Sequence, residues 1–279
     1  MQSAATLATL LAHAAGPDAL FVDAPENGGQ GGGNRLPPLI RAGDADGVLE
    51  LAAAEGIEAA AGSLLQLRRF VEKCRPERVL VSCYPHRIDS GLLGCVPRGW
   101  LNIHPSLLPE YRGINPIFWQ LRDGHAFIGV TLHRMDRELD QGPVIDQYSF
   151  GLADFPDYFE ICRRVGRCGT QLFLEYLENQ RKGWSAETVQ DPGTGSRQGP
   201  PRQEDFMIGP DWSVRRVVRF VRGVRYLGMP FLDTPAGREL VQDAQVPVRG
   251  RLTRALPGER LIHCYDGNVV LRVFGEERR

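Results

Sequence analysis

Asn102 and His104 stand two residues apart in the run Trp100-Leu-Asn-Ile-His104, which Pro105 stops. On a strand that spacing puts both side chains on one face, with Ile103 on the other. A proline ends the ladder because it has no N–H to give. The pair therefore stands at the C-terminal end of a strand, where open parallel sheets form their ligand crevices. Two polar side chains on an apolar strand are costly unless something satisfies them. A hydrogen-bonded strand end and a chemical site are both consistent with the two residues taken by themselves. Other polar candidates are weaker. His133 falls mid-strand on a face with Thr131 and Met135 and reads as structural; Asp136 ends that strand. His86 and His125 read as loop residues, and Cys83 as packing within a buried strand.

The elements around the pair follow from pattern. Val79-Leu-Val81 and Trp100–His104 are continuous apolar runs, as in strands covered on both faces. Helices are predicted over Asp46–Glu55, closed by Gly56, over Leu64–Cys74, and over Asn115–Asp123, ended by Gly124. Ala19–Asp23, Gly129–Met135 and Pro143–Ser149 read as further strands. A long helix follows, with Asp154 as cap, Pro156 in its first turn and Gly183 beyond its end. Its stripe of Cys162, Val165, Gly169, Leu172, Phe173 and Tyr176 recurs at three and four, and Gly166 and Gly169 allow close approach to the sheet. Alternating strands and helices imply an α/β fold with a doubly wound, mostly parallel, Rossmann-like sheet.

From Gln190 to Gln203 the composition turns to Asp, Pro, Gly, Ser and Arg, which reads as a linker. Residues 1–189 then form the larger domain and 204–279 a small β-rich one. The latter has a helix over Ser213–Tyr226 and a final hairpin, Leu261–Tyr265 and Val269–Phe274, turning at Asp266-Gly-Asn268. The glycine-rich Asn27–Asn34 lacks the G-x-G-x-x-G order and any following G-K-[ST], and reads as a surface loop.

The chain of 279 residues carries a formal charge of −1, so no whole-molecule field draws nucleic acid or an anionic membrane. No apolar run approaches the ~18–20 residues of a membrane span. The opening Ser3–Ala15 has Leu7, Leu10 and Leu11 at helical spacing and no basic start, which favours an amphipathic helix over a signal peptide. Six cysteines without a C-x-x-C pair suit reduced thiols and a cytoplasmic location. They offer no metal clip.

Three longer motifs surround the pair: Asn102-Ile-His-Pro-Ser-Leu-Leu-Pro-Glu-Tyr-Arg-Gly113, Gly129-Val-Thr-Leu-His-Arg-Met-Asp136 and Leu139-Asp-Gln-Gly-Pro143. Together they resemble the folate-dependent formyltransferases, a group that includes methionyl-tRNA, glycinamide ribonucleotide and sugar N-formyltransferases. The resemblance is clear from about Val79 to Gln147, and Asp211-Trp212 with the helix after it is similar to the C-terminal domain of the tRNA and sugar enzymes. Family members open with a strand, whereas Met1 and Gln2 here run straight into Ser3–Ala15, so that strand is missing from this reading. Gln141 replaces the small residue usual between the Asp and the Gly.

The resemblance implies Asn102, His104 and Asp140 as the catalytic trio and 10-formyltetrahydrofolate as the formyl donor. It implies folate contacts from the turn Ser106, Leu107, Leu108, Pro109, from Tyr84, Pro85, His86, Arg87 and Ile88 beside the pterin slot, and from Asp136. These residue types suit the chemistry. Formyl transfer passes through a tetrahedral centre with an oxyanion, which an amide and an imidazole N–H stabilise by ~3–4 kcal/mol per donor. A carboxylate near the imidazole orients it and helps the amine's proton leave. Gly142 lets the backbone turn behind that carboxylate.

A small-molecule amine, an amino sugar among the possibilities, is the favoured acceptor, with methionyl-tRNA as the alternative. Arg215, Arg219 and Arg222, joined by Arg216, form a row on the C-terminal helix. Such a row either grips phosphates or is a solvated face. From Arg202 to Arg279 there are 14 Lys/Arg and 10 Asp/Glu, a modest excess of +4. Hydrolysis of the donor, a catalytically silent folate binder and a zinc hydrolase on His104, His133 and Asp140 complete the readings, the last without the usual ligand spacing.

Overall fold

The computed structural model describes residues 19–23, 42–84, 86–152, 157–247 and 257–275. The expected helix Ser3–Ala15, the loop Asn27–Asn34, and Pro85, Asp154 and Pro156 lie outside these. The chain divides into two compact units. One takes in residues up to Gly113, Gly129–Phe150 and Cys162–Arg197; the other holds Ile114–Ile128, Gly151–Ile161 and Gln198–Arg279. The change of unit near the C-terminal end thus falls at Arg197–Gln198, inside the segment read as a linker, and the second unit also draws on two earlier stretches.

In the first unit, β1 (Ala19–Asp23) pairs in parallel with β2 (Glu58–Gly62), and α1 (Ala42–Ala54) lies between them in sequence. The sequence Glu-Ala-Ala-Ala-Gly of β2 carries no β-branched residue, so its strand state comes from pairing rather than propensity. Helix α2 (Leu64–Cys74) starts at Ser63, whose backbone N–H donates to the Gln66 side chain at 2.6 Å, and buries Leu67 and Val71. A second sheet runs in the order β3 (Val79–Ser82), β4 (Trp100–His104), β6 (Phe127–Arg134), β7 (Val144–Gly151). The short α3 (Ser90–Leu93) joins its first two strands, with Asp89 as N-cap. Two-residue strands β5 (Arg112–Gly113) and β8 (Arg197–Gln198) pair with each other.

The expected α/β architecture is present, but its sheets are less parallel than the sequence suggests. β3 and β4 are parallel, whereas β4 and β6 are antiparallel, with Asn102 opposite His133 and His104 opposite Thr131. A helix and loop between two strands do not dictate a crossover, so local pattern leaves strand direction open. Cys83, expected inside a strand, sits one residue beyond β3 in a left-handed conformation, φ +59°.

The long helix α5 (Tyr158–Arg181) presses on β4 through Gly169. A methyl group there would stand 2.2 Å from Cγ2 of Ile103, the residue between Asn102 and His104. Gly169→Ala is therefore expected to lower the thermal unfolding midpoint by several degrees, since overpacking costs about 1–3 kcal/mol against a helix-propensity gain of about 1 kcal/mol. A midpoint at or above that of the wild type in a calorimetric scan would contradict this packing.

The second unit contains α4 (Pro116–Arg122), α6 (Val214–Val224) and an antiparallel sheet in the order β11 (Glu259–Cys264), β12 (Gly267–Gly275), β10 (Gly237–Gln245), β9 (Phe231–Thr234). The expected final hairpin is present as β11–β12, but it turns at Tyr265-Asp266, with Gly267 and Asn268 already in β12. Val217, Val218, Phe220, Val221 and Val224 of α6 are buried, as are Val241, Ala244, Val269 and Leu271 of the sheet. Phe118 of α4 packs 4.9 Å from Phe206 and 5.7 Å from Phe220 between ring centroids. Among the described residues no helix is long and apolar enough to cross a membrane.

Candidate active site

The antiparallel register of β4 and β6 gathers the polar side chains. Directly opposed residues of two strands share a face, so Asn102 and His104 lie on the face of His133 and Thr131. His133 is 1% exposed, and its Nδ1 is 2.8 Å from the Arg134 carbonyl oxygen, to which it must donate. In the neutral ring Nε2 is then an acceptor, and the Asn102 amide nitrogen donates to it at 3.1 Å. That contact fixes which way the Asn102 amide faces, leaving it one N–H and its oxygen to offer. Burial, reinforced by the neighbouring His104, lowers the His133 pKa to about 4, against the opposing pull of Asp140 and the Arg134 carbonyl.

His104 is buried, and its Nε2 donates to the Tyr111 carbonyl at 2.9 Å. Its Nδ1 faces Oδ1 of Asp140 at 3.6 Å, and the same oxygen is 3.7 Å from His133 Nε2. Asp140, 7% exposed, is brought there from a turn 36 residues further on and held in the left-handed region at φ +58°. Its Oδ2 accepts from the Gly113 N–H at 2.8 Å. Gly142 is required for a different reason than a positive φ: a Cβ there would stand 2.0 Å from the Arg134 carbonyl oxygen.

The expected trio thus converges, with His133 as a fourth member that the sequence reading set aside as structural. Two others were missed. Arg112, 4% exposed, donates through Nε and Nη2 to Oε1 of Gln190 at 3.1 and 2.9 Å. Gln190 donates in turn to the carbonyls of Asp140 and Gly142 at 2.9 and 2.7 Å. Arg112 stands inside a motif already noted. Gln190 heads the polar stretch read as a linker, and nothing local marks it as buried.

The turn expected to meet folate is firmly built. The Ser106 hydroxyl donates to the Glu110 carbonyl at 2.6 Å, and Thr131 Oγ1 donates to the Ser106 carbonyl at 2.6 Å while accepting from the Leu108 N–H at 3.1 Å. Gln147 Nε2 donates to the Leu108 carbonyl at 2.8 Å. Leu108 is buried, Pro109 follows a cis peptide bond and is half-buried, and Leu107 is 43% exposed, so this rigid turn presents an apolar side chain outward. In the 84–88 segment, Tyr84 and His86 meet edge to face at 5.4 Å. Ile88 is buried in the core beside Leu92, and the exposed Arg87 donates to the Arg137 carbonyl. Asp136 Oδ1 accepts from the Glu138 N–H at 2.8 Å, a turn-closing role.

These residues suit the donor implied by the motifs. Leu107 is an exposed apolar side chain on a hydrogen-bonded turn, Tyr84 and His86 are paired aromatic rings, and Asn102 has one amide N–H beyond its bond to His133. Among the described residues no cluster of three His, Cys, Asp or Glu is arranged to hold a metal ion.

Comparison with known proteins gives relatives in sequence and in fold. The chain is 30% identical over 139 residues to the methionyl-tRNA formyltransferase of Thermotoga maritima, a match covering 50% of this chain and 44% of that one. It spans about half the length of such curated relatives. A structure of HypX from Aquifex aeolicus in complex with tetrahydrofolic acid superposes with a TM-score of 0.61 at 20% identity, over 91% of this chain and 43% of that one. WlaRD, a sugar 3N-formyl transferase crystallised in the presence of dTDP and 5-N-formyl-THF, gives 0.60 at 14% identity over 99% and 95% of the two chains. At such identities both superpositions speak for the fold alone. The family model for formyl transferases matches residues 37–176, half of the sequence and all of the converging side chains on β4, β6 and the Asp140 turn, and the chain belongs to the formyl transferase family.

Proposed function

We propose that this protein transfers a formyl group from 10-formyltetrahydrofolate to the amine of a small molecule, with amino sugars the first class to test. The observation that carries the reading is the convergence of the Asn102 amide, the His104 imidazole and the Asp140 carboxylate, with Oδ1 facing Nδ1 at 3.6 Å. The donor supplies the formyl carbon, and the chain supplies three functions. Asn102, oriented by His133, directs an N–H at the oxygen where negative charge develops. His104 and Asp140 form a pair that takes the proton shed by the amine. The turn Ser106–Pro109, tied to Thr131 and Gln147, holds a fixed wall beside them.

The small acceptor is favoured over tRNA by the fate of the arginine row. Arg219 is 8% exposed, Arg222 meets Asp243 at 3.3 Å, and Arg216 donates to the Arg122 carbonyl and lies over the Trp212 ring. The expected stripe is therefore not an open row of cations, and only Arg215 of the four is exposed. Methionyl-tRNA is the second reading, supported by the name of the Thermotoga relative.

The test supplies 10-formyltetrahydrofolate with free and nucleotide-linked amino sugars and with charged tRNA, and identifies the formylated product by mass. Expected is acceptor-dependent consumption of the donor, a formylated small amine, and little dependence on salt. A formylated aminoacyl-tRNA whose yield falls steeply with salt would replace the first reading by the second. Consumption without any acceptor would refute both.

A further inference from the structure

We propose that Arg112 and Gln190 form a positioning device that sets the Asp140 carboxylate against His104; the proposal rests on the formyl-transfer reading of the same site. Both side chains are buried, and neither is placed to touch a reacting atom. The guanidinium of Arg112 points its donors at neutral oxygens: Gln190 Oε1 twice, the Thr194 carbonyl at 2.8 Å and the Asp191 carbonyl at 3.2 Å. Burying a guanidinium is costly, and among the described residues no carboxylate bonds to this one directly. The arrangement does something that a neutral residue would not. Because two guanidinium N–H groups claim Oε1, the Gln190 amide has one permitted orientation, with Nε2 forward. Nε2 then grips the carbonyls of Asp140 and Gly142, on either side of Gln141.

The same strand acts on the other end of the aspartate. Gly113, next to Arg112, gives its N–H to Oδ2. With the main chain fixed through Gln190 and Oδ2 fixed through Gly113, Oδ1 is left facing His104 Nδ1 and His133 Nε2. Asp140 needs this restraint, because a left-handed φ of +58° is disfavoured for an L-residue and invites relaxation. A shift of about 1 Å at a reacting group is enough to cost about 100-fold in rate.

Gln190→Glu and Gln190→Met test the device. The first keeps a partner for Arg112 but turns an oxygen toward the two carbonyls; the second keeps the length and removes both contacts. Expected for each is a fall in kcat of about 100-fold, with KM for 10-formyltetrahydrofolate within about twofold of wild type. The ¹⁵N signals of the His104 ring should also move, because Nδ1 loses its aligned carboxylate. Wild-type kcat with unmoved His104 signals in a folded variant overturns the proposal. So does unfolding of both variants at assay temperature, which would make the pair a scaffold and nothing more. The ring signals are read without turnover. A wild type that transfers no formyl group, but whose His104 signals move in the variants, would sink the functional reading and leave the positioning intact.

Discussion

Asp140→Asn is expected to lower kcat for the proposed formyl transfer by two to three orders of magnitude and to leave KM for the donor nearly unchanged. The substitution keeps the side chain's shape and its contact with the Gly113 N–H, so the turn survives. What goes is the negative oxygen 3.6 Å from His104 Nδ1. Without it the imidazole keeps its hydrogen bond to the Tyr111 carbonyl, but the proton released by the amine has no carboxylate beside that ring to stabilise it. A loss of this size corresponds to about 3–4 kcal/mol of transition-state stabilisation. Steady-state kinetics with saturating donor checks it. A rise in KM at constant kcat would instead make Asp140 a residue of ground-state binding.

The second large effect is on stability. His133 has its pKa lowered to about 4, because it is buried and because His104 is close. Above pH 6.5 the ring is neutral whether the chain is folded or unfolded, and it contributes nothing to pH dependence. Between 6.5 and about 4 the unfolded chain takes up a proton that the folded chain refuses, so stability falls with pH. Below 4 both states are protonated and the loss levels off, at about 3 kcal/mol. His133→Gln keeps an acceptor for Asn102 and removes the titration. Denaturant unfolding at pH 7 and pH 4.5 should show a smaller drop for the variant than for the wild type, by up to about 2 kcal/mol at the lower pH. Equal drops would mean that His133 is protonated in the folded protein, and the Asn102 amide would then have to face the other way.

The elements nearest the site were the most legible. Helix α2 and strand β4 run over the residues expected, because an amphipathic period or an apolar run of the right length leaves few alternatives. Asn102 and His104 declared themselves by being polar at alternate positions of such a run. His133 carries the same signal and reads as structural, and it is buried and bonded on both ring nitrogens as such a residue would be; its place opposite Asn102 depends on strand direction, which is a property of the sheet. Strand β2 was invisible because Glu58-Ala-Ala-Ala-Gly62 has helix-forming residues and owes its conformation to β1. Gln190 was hidden for the opposite reason. Its polar neighbours suggest solvent, yet its amide fills the space between Arg112 and the Asp140 turn, a contact between residues 50 to 78 positions apart.

The path of the chain has a consequence for engineering. It changes compact unit after Gly113, Ile128, Phe150, Ile161 and Arg197, and β6 and α5 each begin in one unit and finish in the other. Phe118, from an early stretch, is part of the same apolar cluster as Phe206 and Phe220. No single cut can release either half as a fragment with its interior filled. Chimeras that graft the tail of one relative onto the body of another must exchange residues 114–128 and 151–161 along with it, or they will trade a packed interior for a sticky one.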